Sequence, residues 1–290
     1  MTLSGLAPAK INLFLHVGPV ADDGYHPLAS LVAFADVGDG VTVTPADALS
    51  LSVTGLFGGA LAGEGDNLIL RGLRALGEAA GIGAPPVAVT LDKQLPIAAG
   101  LGGGSADAGT AIRLAAQLLD LDLDEAALEA VAGVVGADGP MCLRARPAWA
   151  TGRGGDLTDE PRLPPLPAVL LNPGLPSPTG AVYRAYDDAP AGGTDCPEAP
   201  ADWSPGVVID WLKAQRNDLE APALRVTPGI SEALAAMRAM PGCRLTRMSG
   251  SGATVFGLFD DAAAAEAAAV ALQRPGWWGR PCLLGNPASG

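Results

Sequence analysis

From residue 93 to 106 the chain reads Lys-Gln-Leu-Pro-Ile-Ala-Ala-Gly-Leu-Gly-Gly-Gly-Ser-Ala. Four of the five positions from Gly100 to Gly104 are glycine, so the backbone there lacks the Cβ atoms that would hold a ligand away. Before it, alternating Val87, Val89 and Leu91 predict a strand that delivers Lys93. After it, Ala108, Ile112, Ala115 and Leu119 form one stripe and predict a helix over 105–119. A glycine-rich turn that opens a helix presents unpaired N–H groups backed by the positive end of the helix dipole, which makes an anion site. Ser105 is expected to cap the helix and to offer a hydroxyl to a phosphate or to Mg²⁺. A flexible linker is the bland alternative, but a linker does not join a regular strand to a regular helix. The segment is not a Walker loop, since the chain contains no Gly-Lys pair. Nor does it have the glycine spacing of the dinucleotide fingerprint.

Charge sharpens the point. The net charge is −13 and only Lys10, Lys93 and Lys213 are lysines, so a general nucleic-acid binder is excluded. An acidic chain that takes a polyanion does so with backbone N–H groups, a local cation and a metal ion. Hydrophobic residues make up 49% of the 290 residues, enough for two modest domains. No run of eighteen apolar residues is free of charge, Gly or Pro, so no membrane span is expected. Lys10, Asn12 and His16 interrupt the first apolar stretch and argue against a signal or targeting peptide. Cys142, Cys196, Cys243 and Cys282 are scattered, as in a cytoplasmic protein with reduced thiols and no zinc site.

Residues 6–17 alternate as a strand that puts Lys10, Asn12 and Phe14 on one face. Asp23-Gly24 marks a turn before Tyr25-His26. Strands are predicted over 30–35 and 41–44, joined by a turn at Asp39-Gly40, and another over 49–54. Helices are expected over 67–81 and over 124–135, the second with Asp122 and Glu125 as its capping box. The texture turns to Gly, Pro and Arg near 150, where a boundary divides residues 1–150 from 151–290. Beyond it come a strand at 168–172, a helix at 179–186, a Pro/Gly-rich stretch at 188–206, and helices at 207–214 and 229–239. The last part reads strand 244–248, loop 249–252, strand 253–259 and helix 262–273. Asn217 to Glu220 is expected to start a helix and is given no chemistry. The clustering of strands indicates an α+β chain.

Pro96-x-x-x-Gly100-Leu-Gly-Gly-Gly-Ser-Ala106 resembles the second motif of the GHMP kinases. Ala7-Pro-Ala-Lys10-Ile-Asn12-Leu13 with Gly24-Tyr25-His26 resembles the first motif of one branch, the kinases acting on 4-diphosphocytidyl-2-C-methylerythritol. Arg247-Met-Ser-Gly-Ser251-Gly252-Ala-Thr254 resembles its third. Where that branch usually has Gly-Ala-Asp-Val-Pro, this chain has Gly136-Ala-Asp138-Gly139-Pro140, and a valine at 139 is expected to be accommodated or slightly stabilising.

The resemblance implies a two-domain fold: an N-terminal ATP-binding domain with a left-handed βαβ crossover over 1–150, and a ferredoxin-like C-terminal domain over 151–290. It implies transfer of the γ-phosphoryl group of ATP, with Mg²⁺, to the 2-hydroxyl of that small molecule on the non-mevalonate isoprenoid route. Asp138 would be the catalytic base and Lys10 its partner, stabilising charge on the moving phosphoryl oxygens. ATP would contact Asn67, Lys93 and the loop Pro96, Ile97, Ala98, Ala99, Gly100, Leu101, Gly102, Gly103, Gly104, Ser105 and Ala106. The acceptor would contact Asn12, Tyr25, His26, Thr179, Tyr183, Ser251 and Gly252. Tyr25 and Tyr183, from two different domains, would close on the two faces of cytosine, with His26 at its edge. Another GHMP kinase of the mevalonate type, or an inactive nucleotide-binding member, are the rival readings. The oligomeric state is open.

Overall fold

A computed structural model of the chain describes residues 1–61, 67–190 and 193–285. In chain order these form β1 (Leu3–Val17), β2 (Leu28–Pro45), β3 (Ser50–Thr54), α1 (Leu68–Ala79), β4 (Val87–Asp92), α2 (Gly103–Leu118), α3 (Glu125–Gly133), α4 (Gly139–Arg144), β5 (Ala148–Thr151), β6 (Asp156–Asp159) and β7 (Leu166–Asn172). Then come α5 (Thr179–Asp187), α6 (Pro205–Lys213), α7 (Glu220–Val226), α8 (Ile230–Arg238), β8 (Cys243–Met248), β9 (Val255–Phe259), α9 (Ala262–Ala271) and β10 (Trp278–Gly285). No described helix is long and apolar enough to cross a membrane. All four cysteines are free.

Two compact units emerge. The first comprises residues 1–9, 37–97 and 102–145. Within it β4 pairs antiparallel with β2, from Gly40 opposite Asp92 to Pro45 opposite Val87. On its other side it pairs parallel with β3. A parallel neighbour needs a crossover, and α1 supplies it. Ile69, Leu73 and Leu76 of α1 and Ala108 and Ile112 of α2 are buried. Small residues let α2 and α4 approach: a Cβ on Gly109 would sit 2.9 Å from the backbone of Leu143.

The second unit comprises residues 10–36, 98–101 and 146–290. Its strands lie in the order β10-β7-β9-β8, all antiparallel, with helices between β7 and β8 and α9 between β9 and β10. That is the ferredoxin-like arrangement. Val169, Leu171, Tyr186, Ile230, Met237, Val255, Phe259 and Ala268 form its core.

The α+β class holds, but several local expectations do not. No turn occurs at Asp39-Gly40, because β2 runs through both residues. Asp124, not Asp122, caps α3, its carboxylate accepting the Ala127 N–H at 2.8 Å. Ser105 caps nothing: α2 begins at Gly103, and its N-cap is Gly102 at φ 61°. β5, β6, α4 and β10 were not expected from the sequence pattern, whereas the segment from Asn217 to Glu220 does lead into a helix, α7.

Candidate active site

The glycine loop is built from backbone that only small residues tolerate. Ala98, Gly100 and Gly102 have φ of 51°, 74° and 61°, in the left-handed region. The first helical bond of α2 runs from Ala106 N–H to Gly102 O, so the N–H groups of residues 103–105 lie outside the helix's own bonding. Within the second unit, Ala98–Leu101 is held by three bonds. Thr254 N–H donates to Ala99 O at 3.2 Å, Ser249 Oγ to Gly100 O at 2.9 Å, and Lys10 N–H to Leu101 O at 2.8 Å. A Cβ on Gly100 would collide with the carbonyl of Ser249.

On β1, period two puts Lys10 and Asn12 on one face as the sequence predicts. Both are buried, and Lys10 Nζ donates to Asn12 Oδ1 at 3.1 Å. Asn12 Nδ2 donates to Ser30 Oγ at 2.8 Å, and Ser30 Oγ to Phe14 O at 2.6 Å. Asn12 is thus engaged at both ends and aligns the Lys10 ammonium. Ser30, which sequence reasoning missed, completes the relay from β2.

The third motif, Ser249–Gly252, sits between β8 and β9, with Gly250 and Gly252 at φ 56° and 84°. Asn217 holds it: Nδ2 donates to Met248 O and to Gly250 O, each at 2.8 Å. Asn217 Oδ1 accepts the Leu219 N–H at 2.9 Å, so the residue does serve the approach to α7, but its larger task is the loop. Arg247 is buried and donates to Leu13 O, Leu212 O and Gln215 O. Burial brings its guanidinium down to about 10. Ser251 Oγ and Thr179 Oγ1 lie 2.9 Å apart, so these two expected acceptor contacts share one hydrogen bond.

The aromatic pair departs from expectation. Tyr25 and Tyr183 belong to the same unit, so no domain closure brings them together. Tyr183 packs on His26, ring centres 5.0 Å apart, rather than standing alone as a platform. Tyr25 is 58% exposed and carries the Arg153 guanidinium 4.3 Å over its ring. A cavity of about 390 Å³ opens beside them, lined by Asp23, Tyr25, Pro27, Arg153 and Asp156. His26 Nδ1 donates to Gly18 O at 2.9 Å, and its Nε2 lies 3.3 Å from Asp187 Oδ1.

In the first unit, Asp138 is the N-cap residue of α4 and half-buried, its carbonyl accepting the Cys142 N–H at 3.0 Å. Asn67 Oδ1 caps α1 through the Ile69 N–H at 2.9 Å. Lys93 departs most from its expected place as an ATP contact. It is 3% exposed, and its Nζ donates to Asp39 Oδ2 at 2.6 Å and Asp107 Oδ2 at 2.7 Å. Its ammonium is therefore spent inside the unit. The hydrophilic spacing from Asp39 to Lys93 carried no signal of this pairing.

The GHMP kinases N terminal domain model matches residues 67–145, and the GHMP kinases C terminal model residues 209–276. A 4-diphosphocytidyl-2-C-methyl-D-erythritol kinase of Caulobacter vibrioides (strain NA1000 / CB15N) is 51% identical over 289 residues, which are 98% of this chain and all of that protein. A crystal structure of 4-(cytidine 5'-diphospho)-2C-methyl-D-erythritol kinase superposes with a TM-score of 0.82 at 36% identity, covering 98% of this chain and 99% of that one. A mevalonate kinase structure, at TM-score 0.65 and 13% identity over 99% of each chain, shares the fold. With about half its residues shared along its whole length, the chain belongs to the 4-diphosphocytidyl-2-C-methyl-D-erythritol kinase family of the GHMP kinases.

Proposed function

We infer that the chain is an ATP-dependent kinase that phosphorylates the 2-hydroxyl of 4-diphosphocytidyl-2-C-methyl-D-erythritol. The observation that carries this is near-complete coverage by relatives of that one name, which favours it over the mevalonate-type reading. The inactive-module reading is disfavoured by Lys10 and Asp138, both present within their motifs.

Phosphoryl transfer asks for alignment, charge stabilisation and a place for the hydroxyl proton. Asp138 takes that proton, and Lys10, aimed by Asn12 and Ser30, stabilises the charge that develops on the transferring oxygens. The N–H groups of residues 103–105 and the helix dipole hold the nucleotide phosphates. Asn67 contributes through its amide nitrogen, since its oxygen caps α1. Mg²⁺ bound to phosphates keeps several waters and needs few protein ligands. The first turn of α2, with Gly103, Gly104 and half-buried Ser105, suits that: a hydroxyl beside the phosphates and no bulk. The ion would neutralise phosphate charge there.

Tyr25 stacks on cytosine, with Arg153 moving aside, and His26 meets the base edge in place of Asp187. Thr179, Ser251 and Gly252 contact the rest of the acceptor. We keep 1–150 as the ATP-binding domain and 151–290 as the C-terminal domain in the sense of the family, whose two matches at 67–145 and 209–276 fall on either side of residue 150, although the compact units interleave, with 10–36 and 98–101 packing in the second. We place the enzyme in the cytoplasm on its scattered free thiols, with a small molecule and not nucleic acid as its partner. Phosphorus NMR of the product tests the reading: a new phosphomonoester at the 2-position is expected, and a phosphate anywhere else on the acceptor contradicts it.

A further inference from the structure

The buried ionisable groups of the first unit have no role in the mechanism above. Asp39, Lys93 and Asp107 are 0%, 3% and 3% exposed. Asp39 makes three contacts. Its Oδ2 receives Lys93 Nζ, and its Oδ1 accepts the N–H groups of Gln94 and Leu95 at 2.6 and 2.8 Å. Those N–H groups belong to the residues that lead into the glycine loop. Asp107 stands on α2, one turn past Gly103, and takes the other side of the ammonium. A Cβ on Gly103 would lie 3.1 Å from Lys93 Nζ, so the ammonium is tucked against the first residue of the helix.

Stability alone does not account for such a group. Taking ions out of water costs several kcal/mol each, and packed apolar side chains of the same volume generally serve a core as well. What a hydrogen-bonded polar triad offers that an apolar cluster does not is direction, since each bond fixes one segment against another. The segments here are β2, the start of the loop and the start of α2.

We propose that Asp39, Lys93 and Asp107 are positioning residues for the nucleotide: they grip the glycine-rich segment at both ends and aim the N–H groups of residues 103–105 at the phosphates. This rests on the loop being the phosphate site. The triad touches no ligand itself. It sets ATP affinity and leaves acceptor affinity alone.

The test is calorimetric binding of MgADP to the full chain, with KM for ATP and for the acceptor measured alongside. Asp107→Ala removes the grip on α2, and the expected result is an ADP affinity about 10-fold weaker with an acceptor KM within about 2-fold of wild type. Asp107→Asn keeps an oxygen for Lys93 and gives Asp39 an amide donor, so it should restore ADP affinity to within about 3-fold. Wild-type ADP affinity in a folded Asp107→Ala overturns the proposal, as does an equal rise in both KM values. If Asp107→Ala does not fold, Asp39→Asn is read instead: its amide faces Lys93, and the same selective loss is expected. Gly104→Asp separates this proposal from the reading beneath it. An aspartate in the first turn suits the helix but repels phosphate. If Gly104→Asp loses ADP while Asp107→Ala keeps it, the triad is not a positioning device and the loop reading stands. If Gly104→Asp keeps full ADP affinity, the loop is not the phosphate site and both fall.

Discussion

Gly139 packs against the carbonyl of Ala132 so closely that a Cβ at position 139 would lie far inside van der Waals contact with that oxygen. The glycine is there for the approach of α4 to the end of α3, not for a left-handed turn, since its φ is not in the positive region. The expectation that valine would be accommodated is therefore reversed. Gly139→Val should destabilise the protein by about 1–3 kcal/mol, the usual range for overpacking, and should displace Asp138. Thermal melts check the first effect and turnover the second. An unchanged melting temperature would mean that α3 and α4 separate more easily than their packing indicates.

Asp107 links stability to pH. Burial pushes its carboxyl up to about 8, with the charge of Asp39 acting the same way and Lys93 opposing. An aspartate in the unfolded chain titrates near 3.9. Between these values the folded state holds the extra proton, so this group's contribution falls as pH rises from about 4 to about 8. Asp107→Asn removes that dependence. Urea unfolding at pH 5 and pH 8 should show the variant gaining on wild type at the higher pH. A constant difference between the two would mean that Asp107 is ionised throughout.

Asn217 supplies both amide hydrogens to the third motif, and no other residue type of its size can do so. Asn217→Asp turns donors into acceptors facing two carbonyls. The expected cost is about 1–3 kcal/mol for each buried group left unpaired, with a fall in kcat larger than any change in ATP binding. A folded variant with native kcat would remove Asn217 from the support of that loop.

The proposed contact of cytosine with Tyr25 and His26 would impose a choice among nucleotides. Stacking on Tyr25 is worth about 1–3 kcal/mol but accepts any base. Selection falls to the edge, where a uridine analogue reverses a donor and an acceptor. Its kcat/KM should be at least about 10-fold lower, and Tyr25→Ala should weaken the acceptor while leaving ATP unaffected. Equal use of both pyrimidines would refute the cytosine reading.

Local features of this chain are legible in its sequence, and long-range pairings are not. The glycine loop and the Lys10–Asn12 face could be read because each is local, whereas the ferredoxin-like domain followed only from the family resemblance. Asp39-Gly40 misled because Asp-Gly usually signals a turn, whereas here Asp39 is spent on Lys93 and on two N–H groups more than fifty residues away. Gly38 served close approach as well: a Cβ there would strike the carbonyl of Ala7. β10 was hidden by Gly279 and Pro281, yet it pairs with β7 along its length. Ser30, Asn217 and Asp107 matter through partners distant in the chain, which no spacing rule encodes.

The identity of the acceptor decides the reaction. ADP release, followed with the cytidylyl methylerythritol, with mevalonate and with no acceptor, tests it most directly, with Asp138→Asn run beside the wild type. Release is expected with the cytidylyl compound alone, with kcat lowered by on the order of 10²–10⁴-fold in the variant and ATP binding retained. Turnover of mevalonate, or near-native turnover by Asp138→Asn, would contradict it.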